Sequence, residues 1–465
     1  MLNIVRKIAW PCRGGLAALC CLTAGGLHAV GAGSSNENGM TANRPDLTVP
    51  QQVKTVFVVA LENHDLVQAN SDGGPQQLLG NPAAPYFNSL ITPGNSNATQ
   101  VSFATHYFSV ALGEHPSEPN YIWSEAGTEF GVYTDADPSP AAGNVFSNVM
   151  HLSGQLMAAG IPWRSYQEDL QYGPGPAESA WGAGVPVNPY NGTTEYAYAV
   201  KHNPMEFFAD TQNTNCFPLT NFWTDLTNQN IGRYNWITPD LLNDMHSALP
   251  GGFVYRGFLY TGDQAAVAEG DNFLSLIIPQ IMATAAYQDK GMIILWMDET
   301  ESTDDTNTSL PCVVISPLAK GNAYASTLPY SHSSDLKTMD EIFGLAWQTN
   351  AIPIADLDAQ NTAYNDVAGS SAIVYDLGDL LQAGAITGSP PNGVVEHPAL
   401  SAAGFQLTFS GPTNQTYALL ATSDLVRPFS TWTVVGTGTF AGREIVFTET
   451  NTAGHSVRYY VVKSP

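Results

Sequence analysis

The sequence predicts an α/β protein with a largely parallel central sheet flanked by helices, followed by a small C-terminal β-sandwich. Three observations predict it. Between Gln51 and Ala385, near-continuous aliphatic runs alternate with helix-compatible stretches, the pattern of strands buried on both faces. Beyond residue 399 the pattern becomes short period-two runs separated by Gly, Pro and Asn turns, as in a small sandwich. The chain also has 465 residues and 44% hydrophobic content, enough for one large core and a second small one.

The N-terminus carries Arg6, Lys7 and Arg13, then the apolar run Leu16–Ala24, then small residues at Val30–Ala32. This is the layout of a cleavable signal peptide over residues 1–32, which predicts secretion to the periplasm or the cell exterior. The run is too short to give a stable membrane span. Residues 33–50 are polar and Gly/Asn/Ser-rich and read as a flexible leader. Cys12, Cys20 and Cys21 leave with the peptide. Cys216 and Cys312 remain, and in an exported chain two remaining thiols are expected to pair more often than stay free.

Within 51–385, the expected catalytic domain, the clearest strands are Val56–Ala60, Met292–Met297 and Cys312–Ser316. One expected helix runs from Asn144 to Ala159, with Val145, Val149, Leu152 and Leu156 on one stripe and Gly160 as its stop. Another starts at Ser334 as N-cap and continues through Leu336, Met339, Ile342 and Phe343. A Gly/Pro-rich stretch over 386–398 reads as a linker. Residues 399–465 then read as an immunoglobulin-like accessory sandwich, with strands at Phe405–Phe409, Tyr417–Ala421, Thr431–Val435, Glu444–Thr448 and Val457–Val462. It carries no cluster of catalytic residue types, so its expected role is attachment to a surface or polymer.

The formal net charge is −25. Such a chain repels nucleic acid and anionic membrane surfaces at long range, so neither is an expected primary partner. If the chain acts on phosphate, a positive charge must be supplied locally, and a bound cation supplies it.

Two strands end on charged residues. Val56–Ala60 runs through Leu61 into Glu62, Asn63 and His64, and Met292–Met297 runs into Asp298 and Glu299. In open α/β sheets the carboxyl ends of the strands are where ligands bind. If these strands are neighbours, Glu62, Asn63, Asp298 and Glu299 converge, and their repulsion calls for a cation. An all-oxygen donor set favours one hard divalent metal such as Mg²⁺, Ca²⁺ or Mn²⁺. The bland alternative is a solvated acidic loop, since Glu301, Asp304 and Asp305 follow.

A third cluster, His115-Pro-Ser117-Glu-Pro-Asn120-Tyr121, precedes a helix-compatible stretch. Ser117 there is either a nucleophile beside the metal or a plain N-cap, with Asn120 facing phosphoryl oxygens in the first case. Two further loops carry Asp244 with His246, and His332 just before a helix. Either histidine could protonate a leaving oxygen or be a satisfied structural residue. His64, His151 and His202 are read as structural.

The ordered runs VFVVALENH, HYFSVALGEHPSEPNY, WRSYQED, YAVKHNPMEFF, WITPDLLNDMH, MIILWMDE and SHSSDLKTMDEIFGL resemble the phosphoesterase family of secreted acid phosphatases and bacterial phospholipases C, over roughly residues 51–350. The resemblance implies a branch of the alkaline phosphatase superfamily and a covalent phosphoenzyme. By match to its motifs Ser117 is the nucleophile, and Glu62, Asn63, Asp298 and Glu299 hold the metal. His115, Asn120, Asp244, His246 and His332 lie near the phosphate, with His332 or His246 as proton donor. The phospholipase branch usually reads Gly-x-Thr-x-Pro-Asn-Arg at the nucleophile, whereas this chain has His-Pro-Ser-Glu-Pro-Asn-Tyr, which tilts the expected substrate toward small phosphate monoesters. The rival readings are a phospholipase C cleaving phospholipid head groups and a catalytically inactive surface-binding protein.

Overall fold

The structure, a computed structural model, describes residues 2–9, 52–67, 77–109, 115–300, 309–345, 374–382, 384–386, 395–401, 404–409, 416–423, 432–439, 445–449 and 457–463. The polar leader, the three N-terminal cysteines, the acidic loop with Glu301, Asp304 and Asp305, and most of the expected linker lie outside them. The chain divides into two compact units, one of Gln51–Pro391 and one combining Met1–Pro50 with Asn392–Pro465.

The larger unit is built on an eight-stranded sheet. In spatial order its strands are Tyr324–Ser326, Val101–Ala104, Cys312–Ile315, Gly291–Met297, Thr55–Leu61, Tyr234–Thr238, Trp163–Gln167 and Cys216–Pro218. The central pair, Thr55–Leu61 and Gly291–Met297, is parallel and in register along its whole length, from Thr55 opposite Gly291 to Leu61 opposite Met297. Tyr234–Thr238 and Trp163–Gln167 continue in the same direction. Cys312–Ile315 runs antiparallel to its neighbours on both sides. The Val, Ile, Leu and Trp content of the central strands matches this burial on both faces, and their residues form one core cluster with the flanking helices. The helices that matter here are Ser117–Ala126, Asp263–Met282 and His332–Phe343.

Three expectations are corrected. The Asn144–Ala159 helix is confined to Leu152–Ala158. Ahead of it Phe146 exchanges backbone hydrogen bonds with Phe207 and Ala209, and Asn148 is left-handed at φ 57°. Tertiary backbone pairing has won over the helical stripe. The last helix begins at His332, capped by Ser331; Ser334 is its N3 residue and closes a reciprocal capping box with Ser331. Finally, Cys216 and Cys312 are free thiols. Four strands separate theirs in the sheet, and at about 4.8 Å per strand they are far beyond disulfide reach. A reductant should therefore leave the melting temperature within about 1 °C, and alkylation of the unreduced, unfolded protein should label both.

The smaller unit has one sheet of Val395–Ser401, Gly404–Phe409 and Ile445–Glu449. Its second sheet is ordered Leu2–Ala9, Val457–Lys463, Thr416–Thr422, Thr433–Thr439. Leu407 and Phe409 of the first sheet join Leu419, Ala421, Tyr460 and Val462 of the second in a single cluster. The alternation read from sequence locates these strands to within two residues, except that the third expected one ends at Thr439, not Val435. Leu2–Ala9, in the expected signal peptide, lies as an edge strand on Val457–Lys463.

Candidate active site

Register places the site. Leu61 lies opposite Met297, so Glu62 and Asp298 leave the sheet side by side, and the Asp298 N–H still donates to the Leu61 carbonyl. Asn63 then turns left-handed at φ 51°, a conformation asparagine tolerates better than most residues, and its N–H donates to Asp298 Oδ1 at 3.1 Å. The next parallel strand, Tyr234–Thr238, contributes Asp244, whose carbonyl accepts from the Glu62 N–H at 2.8 Å. Met245 after it also has positive φ, 81°, uncommon for a side chain of this size.

Ser117 is the first residue of the helix Ser117–Ala126, and all ten residues of that helix are buried. Its hydroxyl Oγ lies 2.9 Å from Glu62 Oε2 and 3.1 Å from Glu299 Oε1, so its single proton chooses between two carboxylates. The N-cap role belongs to Pro116, which has no side-chain acceptor. The bland reading of Ser117 as a cap therefore fails. One turn later Asn120 Nδ2 reaches Glu299 Oε2 at 3.5 Å, and the Tyr121 hydroxyl donates to Glu62 Oε1. His115, just before the helix, places Nδ1 2.7 Å from Glu299 Oε2.

The remaining histidines separate. His246 is exposed, with its backbone N–H on Asp244 Oδ1 at 2.8 Å and its ring centroid 6.1 Å from that of His202. His332 is fully buried against Trp296, and its Nε2 lies 3.0 Å from the Met297 carbonyl. The N–H that faces a carbonyl is committed to it, and burial pushes the imidazole down to about 4. His332 is thus neutral at neutral pH. Sequence reasoning passed over His202, which stacks on Tyr121 at 4.9 Å and lies 3.5 Å from both Glu62 Oε1 and Asp244 Oδ2. Its run, Lys201-His-Asn-Pro, follows the short strand Glu195–Tyr198 into a 3₁₀ turn, without the long aliphatic run that marks Glu62 and Asp298. The motif YAVKHNPMEFF is the sequence signal that carries His202.

The electrostatics are lopsided. Burial, followed by the charges of Asp298 and Asp244, raises Glu62 well above the usual carboxylate range. Burial and then Glu299 push Asp298 up to about 8, and burial also raises Asp244. Burial takes His202 well below an ordinary histidine. Buried Asn63 Oδ1, Asp298 Oδ2 and Asp244 Oδ2 have no hydrogen-bond partner. Crowded carboxylates with orphaned oxygens are what a hard divalent cation satisfies, so the donor set fits one. Glu62, His202 and Asp244 also offer ligand atoms within 4.8 Å of one another, sharing Glu62 with the expected set.

The fold brings a buried serine among carboxylates at the carboxyl edge of a mostly parallel sheet. The chain belongs to the phosphoesterase family, whose profile matches residues 84–346, more than half of its length. It hydrolyses phosphate esters. It is 25% identical over 312 residues to a phosphatidylinositol-3-phosphatase of Mycobacterium tuberculosis, covering 66% of this chain and 87% of that one. It is 30% identical over 147 residues to a phosphate-repressible acid phosphatase of Penicillium chrysogenum, covering 30% of this chain and 31% of the relative. A protein in the alkaline phosphatase superfamily from Vibrio parahaemolyticus superposes on 87% of this chain and 81% of its own. The TM-score is 0.39 and the identity 9%, too distant a likeness to carry function. Among the described residues no helix is long and apolar enough to cross a membrane.

Tyr121→Phe tests the support around Glu62. Removing the hydroxyl leaves Glu62 Oε1 without its donor, and the expected loss is roughly 10- to 100-fold in kcat or in metal affinity, read by steady-state kinetics and metal titration.

Proposed function

We propose that the protein is an exported, metal-dependent phosphomonoesterase of acid-phosphatase type that works through a phosphoserine on Ser117. The observation that carries this reading is the Ser117 hydroxyl held at a buried helix N-terminus between Glu62 and Glu299. Asn63, Asp298, Glu62 and Glu299, with Asp244 and His202 adjoining, would hold one hard divalent cation, which supplies positive charge against the phosphoryl oxygens and lowers the cost of ionising the serine.

Ser117 Oγ attacks phosphorus, forming the Oγ–P bond as the bond to the ester oxygen breaks. The serine proton passes to the carboxylate it already faces. The departing alkoxide takes a proton from His115 or His246, the histidines that combine nearness to the site with access to solvent. Water then attacks phosphorus opposite Oγ and gives its proton to the histidine that lost one; the Oγ–P bond breaks, Oγ takes its proton back from the carboxylate, and inorganic phosphate leaves. The first-turn N–H groups of the Ser117 helix and the Asn120 amide would meet phosphoryl oxygens.

Both relatives above are named as phosphatases, one of them a phosphatidylinositol-3-phosphatase, which supports monoester chemistry over head-group cleavage. Export is supported by the N-terminal Arg/Lys, apolar and small-residue layout. Assaying small phosphomonoesters, a phosphoinositide and phosphatidylcholine side by side, with and without chelator, tests the reading. Release of a phosphorylated head group in place of inorganic phosphate would replace it with the phospholipase C reading.

A further inference from the structure

The helix that opens on Ser117 ends on a second buried carboxylate, Glu125, in its last turn. That position is unfavourable on two counts, because the carboxylate is out of water and the helix C-terminus carries partial negative charge. What faces it is His151. His151 Nδ1 lies 3.0 Å from Glu125 Oε2, and its Nε2 lies 2.9 Å from Asp210 Oδ1. The ring is 1% exposed and stacks on Phe208 with centroids 4.0 Å apart. A neutral imidazole has one N–H, so against two carboxylates it would turn a lone pair toward one of them. Both nitrogens can donate only in the imidazolium. Ser153 adds its N–H at 2.8 Å and its hydroxyl at 2.6 Å to the same Glu125 oxygen.

We propose that His151, as an imidazolium bridging Glu125 and Asp210, is a positioning residue that fixes the Ser117 helix, and that loss of its proton sets the alkaline limit of turnover. The proposal rests on the reading of Ser117 as nucleophile. Glu125 is eight residues past Ser117, about 12 Å along a rigid helix, so a shift at one end is carried to the other. The opposite end is clamped by neutral donors, with Glu118 accepting from Asn144 Nδ2 at 2.7 Å and from the Ala136 N–H at 2.8 Å. At the Glu125 end the clamp is itself a titrating base.

The groups around that base set the sign. Burial alone would lower His151, but the hydrogen bonds and charges of Glu125 and then Asp210 raise it above an ordinary histidine. From the helix His332–Phe343, Asp340 also faces Glu125; burial and that neighbour push it up to about 8, so it is protonated through the acid and neutral range. The Tyr234 phenol near Glu125 is raised as well and stays neutral. With a folded value above the unfolded one, the contribution of His151 is complete below the unfolded value and is lost as pH rises through the folded one. The arrangement favours acid conditions.

The test compares wild type with His151→Gln and with Asp210→Asn, whose side chain is 55% exposed in the wild type and whose loss the fold should tolerate. Kinetics on a chromogenic phosphate monoester are run over about pH 4 to 9, alongside ¹⁵N NMR of the wild-type imidazoles. In His151→Gln, kcat should fall by about tenfold to a hundredfold at acid pH, with KM within about twofold, and the alkaline limb of the profile should flatten. In Asp210→Asn that limb should move to lower pH, and wild-type His151 should show both ring nitrogens protonated at neutral pH. Superimposable profiles in all three proteins, or a wild-type His151 that titrates at or below the ordinary histidine value, overturn the proposal. If wild type hydrolyses no ester, the NMR titration still decides the state of His151, so that failure is separable from failure of the nucleophile assignment.

Discussion

Ser117→Ala is expected to lower kcat on a chromogenic phosphate monoester by a factor on the order of 10⁴ or more, because no other described hydroxyl touches both Glu62 and Glu299. Steady-state kinetics read the loss. The fold should be untouched, since the change deletes one oxygen in a helix held by Glu118, Glu125 and the Trp123 indole, whose Nε1 donates to Ser333 Oγ at 3.0 Å. A melting temperature within about 2 °C of wild type would show that chemistry alone was removed. The phosphoserine adds a second readout. Acid-quenched wild type should carry phosphate on the peptide containing Ser117, and the variant should carry none. Turnover retained within tenfold of wild type would remove Ser117 from the mechanism.

The second large effect is metal removal. Chelator should abolish turnover, and it should lower the melting temperature more at about pH 8 than at about pH 5. The sign follows from the carboxylates. Without a cation, burial holds Glu62 well above the ordinary range and Asp298 at about 8, whereas both are near 4 in the unfolded chain. Between those values the folded state binds protons that the unfolded state has released, so stability falls as pH rises through that window. A bound cation removes this penalty, and differential scanning calorimetry with and without chelator reads the difference. In the metal-free protein Glu62→Gln should raise stability at pH 8 while eliminating activity, because a neutral amide is easier to bury there than an ionised carboxylate. A chelated protein that melts at the same temperature at both pH values would count against this account.

Much of this was legible in the sequence because strand ends are local signals. The runs into Glu62-Asn63 and Asp298-Glu299 announce themselves as buried strands meeting water, and parallel register between neighbours then brings them together without further information. Ser117 was legible as a helix entrance, although its contacts with Glu62 and Glu299 were not. His202 was not flagged, because it reaches the site from a turn whose position depends on stacking against Tyr121, a contact between residues 81 positions apart. His332 was flagged for its place before a helix, but which way its ring turns depends on Trp296 and the Met297 carbonyl. The expected Asn144–Ala159 helix failed for the same reason. Its stripe was real, but Phe146 found backbone partners in Phe207 and Ala209. Sequence periodicity reports what a segment can bury, and nonlocal backbone pairing decides whether it does so as a helix.

The matched strands Thr55–Leu61 and Gly291–Met297 act as a ruler with one-residue graduations. Deleting a single residue from either would move its terminal carboxylate by about 3.3 Å and turn it to the other face of the sheet, so no partial misalignment of the two halves is available. The acidic half of the site can therefore change by substitution but not by sliding. Changes in chain length that adjust substrate preference must fall in the connections beyond Asn63 and Glu299, where the chain has left the sheet.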